Sequence, residues 1–248
     1  MIRPVELFFC ALQFLTRLPT PHLARFQPDW IDRCTPFFPV VGWVVGAISA
    51  VVWLAAARFW PGLPAAGLAV AVGALVTGGM HEDGLADTAD GLGGGQTPER
   101  RLEIMKDSRL GSYGALALWS ALTIKTGTLS GFDAIRGAVS LVLMHGAARA
   151  VSPILMASLR YAGRADDAKW RSGRVRPWEA ATAVVLGVSP LPWLIGWTPA
   201  LVGIGLAACA ALALTVVARR LIGGFTGDVL GAVEQLAELG LILGFAVA

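Results

Sequence analysis

Long apolar segments constrain this chain more than any other feature of its sequence. Each segment is close to the roughly 20 residues that an α-helix needs to cross a bilayer. Hydrophobic residues make up 55% of the 248 residues and charged residues only 15%, whereas a soluble domain carries about 25% charged residues. The sequence therefore predicts a membrane protein. It excludes a disordered chain, a nucleic-acid-binding tail and a small secreted disulfide scaffold.

The cysteines and the N-terminal segment add two further expectations. Cys10, Cys34 and Cys209 are far apart and form no CxxC pair, which argues against a thiolate metal site and against a disulfide framework. The first apolar stretch is not followed by a small-residue cleavage site, so we expect the N-terminal segment to stay on the mature chain.

Seven segments are predicted to span the membrane as helices. They cover residues 37–57, 63–80, 111–128, 137–158, 180–197, 200–218 and 229–248. Six or eight spans also fit, because prolines interrupt the fifth segment and two glutamates lie in the last one. Residues 5–18 form a shorter apolar segment, which we expect to lie along the membrane interface. The predicted fold is a single all-α domain, a polytopic helical bundle over residues 1–248.

Basic residues fall mainly on one side of these spans. They concentrate in the N-terminal segment and in the loops 81–110, 159–179 and 219–228, which contain Asp90, Asp166 and Asp228. The positive-inside rule places these regions in the cytoplasm. Acidic residues crowd into the same loops, so we expect any chemistry to occur at the cytoplasmic face.

The most informative segment is TGGMHEDGLADTADGLGGG, residues 77–95. Asp83, Asp87 and Asp90 stand at i, i+4 and i+7, which puts three carboxylates on one face of a helix. Such carboxylates repel one another unless a cation neutralises them. Because Mg²⁺ is commonly held by one or two carboxylates and by substrate phosphates, the spacing predicts a magnesium and diphosphate site. The alternative is a solvated helix end whose acids pair with nearby basic residues.

Two groups of residues flank this acidic segment. His81 precedes it and is a candidate ligand, proton carrier or capping residue. Lys106, Asp107, Ser108 and Arg109 follow it in RLEIMKDSRLGSYG. Their mixed charge suits phosphate oxygens, although a solvated face that anchors the next helix fits equally well.

Lys125 and Arg149 lie inside predicted spans, where an ionisable group is costly and is by default functional or paired. Arg149 follows His145 by one helical turn, so both could serve an anionic ligand, whereas Lys125 could instead reach outward to the interface. Near the C-terminus, Thr226, Asp228 and Glu238 occur in GGFTGDVLGAVEQLAEL. We expect Asp228 on the same side as Asp83, so the two acidic groups could share metal ions.

With these segments the sequence resembles cobalamin synthase, the adenosylcobinamide-GDP ribazoletransferase family of integral membrane enzymes. The matching segments are FLTRLP (14–19), FFPVVGWVVG (37–46), TGGMHEDGLADTADG (77–91), RLEIMKDSRLGSYG (101–114) and GGFTGDVLGAVEQLAEL (223–239). Their order covers essentially the whole chain. Two departures from the family pattern are Glu82, where an aliphatic residue is expected, and Gln235, where some members have an acid.

The resemblance implies a Mg²⁺-dependent enzyme of the cytoplasmic (inner) membrane. It would join α-ribazole, or its 5′-phosphate, to adenosylcobinamide-GDP and release GMP, the last step of nucleotide-loop assembly. It implies membrane lipid and these two substrates as partners, and no nucleic acid. The residues that match the family as catalytic or metal-binding are His81, Asp83, Asp87, Asp90 and Asp228. Those that match as substrate-binding are Lys106, Asp107, Ser108, Arg109, Lys125, Arg149, Thr226, Asp228 and Glu238.

Two other classes of protein share some of these features. A CDP-alcohol phosphotransferase or a polyprenyl transferase also uses Asp-rich helices and Mg²⁺, but no DGxxAR run follows the first aspartates here. A transporter would place its acids along the middle of the bundle, whereas these gather at one face. The proton acceptor, a carboxylate or His81, stays open at this stage.

Overall fold

The computed structural model describes residues 3–23, 27, 29–163 and 174–247. Residues 164–173 of the predicted loop 159–179, Asp166 included, and the end of the last predicted span at Ala248 lie outside these residues. The described residues form helices and, between Tyr161 and Phe225, one isolated β-bridge. The all-α prediction is confirmed. The helices are α1 (Pro4–Leu15), α2 (Trp30–Cys34), α3 (Phe38–Ala56), α4 (Leu63–Thr77), α5 (Met80–Gly94), α6 (Pro98–Met105), α7 (Ser112–Ser130), α8 (Ala134–Ala148), α9 (Val151–Ser158), α10 (Pro177–Val188), α11 (Leu191–Ile195), α12 (Trp197–Ile222) and α13 (Gly227–Phe245).

The membrane spans are fewer than the seven predicted when they are judged by length and apolar character. Within the described residues, four helical stretches qualify, and a fifth is added if α4 and α5 are one broken span. The four are Trp30–Ala56, Ala134–Ser158, Pro177–Ile195 and Trp197–Ile222. Helices α7 and α13 occupy two other predicted spans and have 19 residues each. They are more polar, since α7 contains Lys125 and α13 contains three acids. The chain is a multi-pass membrane protein.

A sharp bend separates α5 from α4. The two helices meet at 89°, and both residues between them, Gly78 and Gly79, have left-handed backbone angles with φ of 71° and 70°. Glycine adopts this conformation without the steric cost that a Cβ would add. The bend makes α5, which carries the acidic segment, a separate polar helix rather than the straight continuation of α4.

Helix α13 forms the centre of the bundle. It packs along α12 and against α5, α7, α8 and α9. Small residues allow close approach: a Cβ on Gly240 would lie 2.4 Å from the backbone nitrogen of Ala207 on α12, and one on Gly84 of α5 would lie 2.7 Å from the carbonyl oxygen of Asp228. This close packing of α5 on α13 brings the first turns of both helices together.

Candidate functional site

A cavity of about 330 Å³ lies between the first turns of α5 and α13. Helices α1, α3, α6 and α9 supply its other walls. The polar side chains that line it are His81, Asp83, Lys106, Ser152, Thr226, Asp228 and Glu234. It therefore brings together residues from the three blocks that the sequence singled out, on α5, at the end of α6 and at the start of α13.

Asp83 and Asp228 reach the cavity from different helices. Thr226 caps α13, since its Oγ1 accepts a hydrogen bond from the Val229 N–H at 3.2 Å and donates one to Asp228 Oδ2 at 3.3 Å. The N-terminus of α13 therefore borders the cavity, and the unpaired N–H groups of a first helical turn favour an anion such as phosphate.

Asp87 lies one turn after Asp83 and is half-buried. Burial, together with the charges of Asp83, Asp228 and Asp90, raises the pKa of Asp87 to about 7. The carboxylates of the acidic segment and Asp228 are thus close enough to disfavour one another's charge, which is the condition that a bound cation relieves.

No three side chains of metal-ligating type within the described residues are grouped closely enough to hold an ion unaided. The predicted four-aspartate metal set is therefore not a closed cage. Asp83 and Asp228 fit the other common arrangement, in which Mg²⁺ is held by one or two carboxylates and completed by substrate phosphates and water.

The sequence predicted Asp90 as a metal ligand, but the carboxylate of Asp90 binds backbone groups instead. It is buried, and its carboxylate accepts hydrogen bonds from the backbone N–H groups of Gly111, at 2.8 Å, and Gly114, at 2.9 Å. These groups belong to the start of α7, so Asp90 caps that helix from α5. A Cβ on Gly111 would lie 2.3 Å from an Asp90 oxygen, so the contact depends on glycine.

The block Lys106–Arg109 is divided between two environments. Lys106 lines the cavity. Asp107 and Arg109 pair with each other, with Arg109 Nη2 2.5 Å from Asp107 Oδ2, and this guanidinium lowers the pKa of Asp107 to about 2. Ser108 and Arg109 are exposed. Only the first of the four predicted substrate-binding residues therefore borders the cavity.

A second polar cluster lies inside the bundle, away from these exposed groups. Glu238 of α13 pairs with Lys125 of α7 and lies 2.7 Å from His145 Nδ1, while Lys125 Nζ also donates to Gln235 Oε1 at 2.6 Å. Arg149 Nη1 is 3.3 Å from Glu234 Oε1 and 3.8 Å from Glu238 Oε1. We call these six residues the interior network.

The interior network changes the expectation for three predicted substrate-binding residues. Lys125, Arg149 and Glu238 are almost completely buried and do not line the cavity. Lys125 does not reach outward to the interface either, because its ammonium group pairs with Glu238. Instead of meeting an external anion, the two cations neutralise carboxylates of this chain, as buried charges require.

Glu234 joins the interior network to the cavity. Its Oε2 lies 3.0 Å from His81 Nε2, and both side chains line the cavity although each is buried. Glu234 belongs to the C-terminal acidic group of the sequence but was not among the predicted site residues. An acid inside an apolar segment, one turn before Glu238, was the signal for it.

The two positions that depart from the family pattern contact each other. Gln235 Nε2 donates to Glu82 Oε1 at 3.1 Å. Glu82 thus faces α13, whereas Asp83 faces the cavity, as their offset of about 100° around the helix predicts. This hydrogen bond crosses the interface between α5 and α13.

Comparison with known proteins gives a consistent result. Residues 7–246 match the family model described as cobalamin-5-phosphate synthase. The chain is 43% identical to the adenosylcobinamide-GDP ribazoletransferase of Leptothrix cholodnii, over 99% of this chain and 96% of that protein. It is 41% identical to the proteins of the same name from Ralstonia pickettii and Azorhizobium caulinodans, in both cases over 96% of this chain and 94% of the relative. No solved structure matches the chain.

Proposed function

The chain belongs to the cobalamin-5-phosphate synthase family, and we propose that it joins α-ribazole, or its 5′-phosphate, to adenosylcobinamide-GDP with release of GMP. The product is adenosylcobalamin or its 5′-phosphate. The observation that supports this activity most directly is the cavity at which Asp83, Lys106 and Asp228 meet beside the N-terminus of α13. Two carboxylates, an ammonium group and a helix N-terminus form a suitable set for a diphosphate.

Asp83 and Asp228 are the residues that would hold Mg²⁺ against the diphosphate. Bound there, the ion would neutralise the phosphate oxygens and the charge that develops on GMP as it leaves. Lys106 and the first N–H groups of α13 border the same cavity and would bind the same oxygens. Phosphoryl transfer needs little from the protein beyond this positioning and charge stabilisation.

Proton acceptance from the ribazole hydroxyl falls to one of two groups that line the cavity, His81 or Asp83. Glu234 holds His81 at Nε2, and Arg149 holds Glu234 in turn, so the imidazole has a fixed orientation. Asp83 is the more exposed of the two.

The test is GMP release by the purified protein in detergent. With adenosylcobinamide-GDP, α-ribazole 5′-phosphate and Mg²⁺, we expect GMP and adenosylcobalamin 5′-phosphate in equal amounts. EDTA should stop the reaction and added Mg²⁺ should restore it. Folded protein that releases no GMP would contradict the activity, and release that EDTA does not affect would contradict the metal site alone.

We propose that the cavity opens to the cytoplasm at the inner membrane, because the loops around it carry most of the basic residues. Single cysteines in a background without Cys10, Cys34 and Cys209 test this orientation. In intact cells, an impermeant reagent should label exposed position 59, between α3 and α4, and should spare position 108. Labelling with the opposite pattern would reverse the topology.

A further inference from the structure

The polar groups described so far occupy only part of the cavity lining. The rest is mainly apolar and comes from six helices. We call its main residues, Phe14, Phe38, Met80, Met105 and Met156, the apolar wall. The wall lines the same cavity as Asp83 and Lys106. A ligand that binds against the wall therefore lies close to the two side chains that we assign to the phosphates.

The apolar wall contains an aromatic pair. The rings of Phe14, at the end of α1, and Phe38, at the start of α3, have centroids 5.9 Å apart and planes inclined by 22°. Phe14 is only half-buried, whereas Phe38 is buried. Such a pair favours a further planar ring, either stacked with an offset or edge to face. The three methionines are flexible and make favourable contacts between sulfur and aromatic rings.

The size of the cavity restricts what it can contain. About 330 Å³ is near the lower end of the range for small-ligand pockets, about 300–1,000 Å³. That volume is on the scale of a nucleoside phosphate. A corrin macrocycle with its amide side chains is much larger, so the corrinoid part of the second substrate does not fit inside.

We propose that the apolar wall is the binding site for the planar base of the ribazole substrate, which is a fused two-ring aromatic. The ribose then points toward Asp83 and Lys106, and the corrin ring stays outside the cavity. This inference rests on the proposed function. A corrinoid segment or a lipid acyl chain against the wall is the alternative that the experiment below distinguishes.

Inhibition of the unaltered protein by free benzimidazole is the first test. GMP release is measured while the two substrates are varied separately. Benzimidazole at millimolar concentration should compete with α-ribazole 5′-phosphate and should not compete with adenosylcobinamide-GDP. Competition with adenosylcobinamide-GDP, or no inhibition, would overturn the proposal.

Substitution of Phe14 by leucine is the second test. Phe14→Leu keeps an apolar residue in α1 but removes the ring, so the KM for α-ribazole 5′-phosphate should rise by about tenfold, the effect of one lost aromatic contact. The KM for adenosylcobinamide-GDP should stay within about twofold of the original value, since that substrate keeps its phosphate contacts.

The matched control is Phe9→Leu. Phe9 lies on the same helix and is also half-buried, but it does not line the cavity. Equal effects of the two substitutions, or a rise confined to the KM for adenosylcobinamide-GDP, would contradict the apolar wall as the base site. If Phe14→Leu does not fold, the benzimidazole result decides alone. Failure of the proposed function itself looks different, because the unaltered protein would then release no GMP.

Discussion

Carboxylates occur in two regions of this protein, and their neighbours differ. In the interior network, Glu234 and Glu238 each lie within ion-pair distance of a cation from another helix. Beside the cavity, burial and the charges of Asp83, Asp228 and Asp90 raise the pKa of Asp87, so these acids disfavour one another's charge. Helix α13 contributes carboxylates to both regions, whereas α5 contributes its aspartates only at the cavity. Acids that pair with buried cations hold the bundle together, whereas acids grouped one helical turn apart, such as Asp83 and Asp87, suit an external cation.

Glu238→Gln should have the largest effect, and it should be on stability. The change leaves the Lys125 ammonium group buried without its carboxylate, and breaking a buried pair costs about 3–5 kcal/mol in the free energy of unfolding. Thermal unfolding in detergent measures it. Glu103→Gln is the matched control, because Glu103 pairs with Arg100 on the surface and should contribute less than about 1 kcal/mol. Equal stabilities for the two variants would remove the distinction between the regions.

Asp83→Asn should lower activity and leave stability unchanged. It keeps the shape of the side chain but removes one anionic ligand, so GMP release should fall by on the order of 100-fold or more, comparable to the loss of a major electrostatic element of a site. The unfolding temperature and the amount of protein in the membrane should not change. Glu99→Gln, an exposed acid on α6, is the control. Full activity of Asp83→Asn at low Mg²⁺ would show that Asp83 is not a ligand.

Asp90→Asn tests whether Asp90 has a structural role, like the acids of the interior network, or a role in metal binding, like the acids at the cavity. As a cap of α7 it should affect stability by about 1–2 kcal/mol, since the amide keeps only one acceptor for two backbone N–H groups. Its dependence on Mg²⁺ should stay normal. A raised Mg²⁺ requirement with unchanged stability would return Asp90 to the metal site that the sequence predicted.

Glu82→Leu should have the smallest effect. It removes one hydrogen bond to Gln235, which corresponds to about 1 kcal/mol of stability, and it leaves the cavity intact. GMP release per folded molecule should stay within about twofold, as expected for a residue that makes no contact with the substrate. A large loss of turnover would mean that the face of α5 that packs against α13 takes part in the reaction.

Much of the fold could be predicted because the bilayer imposes it. Long apolar segments predict helices, and the spacing of Asp83 and Asp87 predicts a shared face. The bend at Gly78–Gly79 could not be predicted from the pattern of apolar residues, because it depends on the backbone angles of the two glycines. The predicted spans 111–128 and 229–248 form helices of 19 residues each, but they do not qualify as spans by apolar character.

The partners of the buried and half-buried charged residues on α5, α7 and α13 could not be predicted, because they are far away in sequence. Lys125 meets Glu238 across more than a hundred residues, and Glu82 meets Gln235 across a longer separation still. Helical spacing shows which face a residue lies on. It does not show which helix packs against that face, and this decided that Asp90 caps α7 and that Arg149 pairs with Glu234.

The central position of α13 has a consequence for synthesis. This helix follows all of its packing partners in the chain, so the ribosome completes it after they have entered the membrane, because domains emerge from their N-terminal side. Until then, the cationic side chains of α7 and α8 lack their carboxylates. Before α13 is made, a nascent chain is therefore unfinished in charge as well as in shape. Proteases and chaperones act on such incomplete assemblies, and α13 supplies the missing carboxylates.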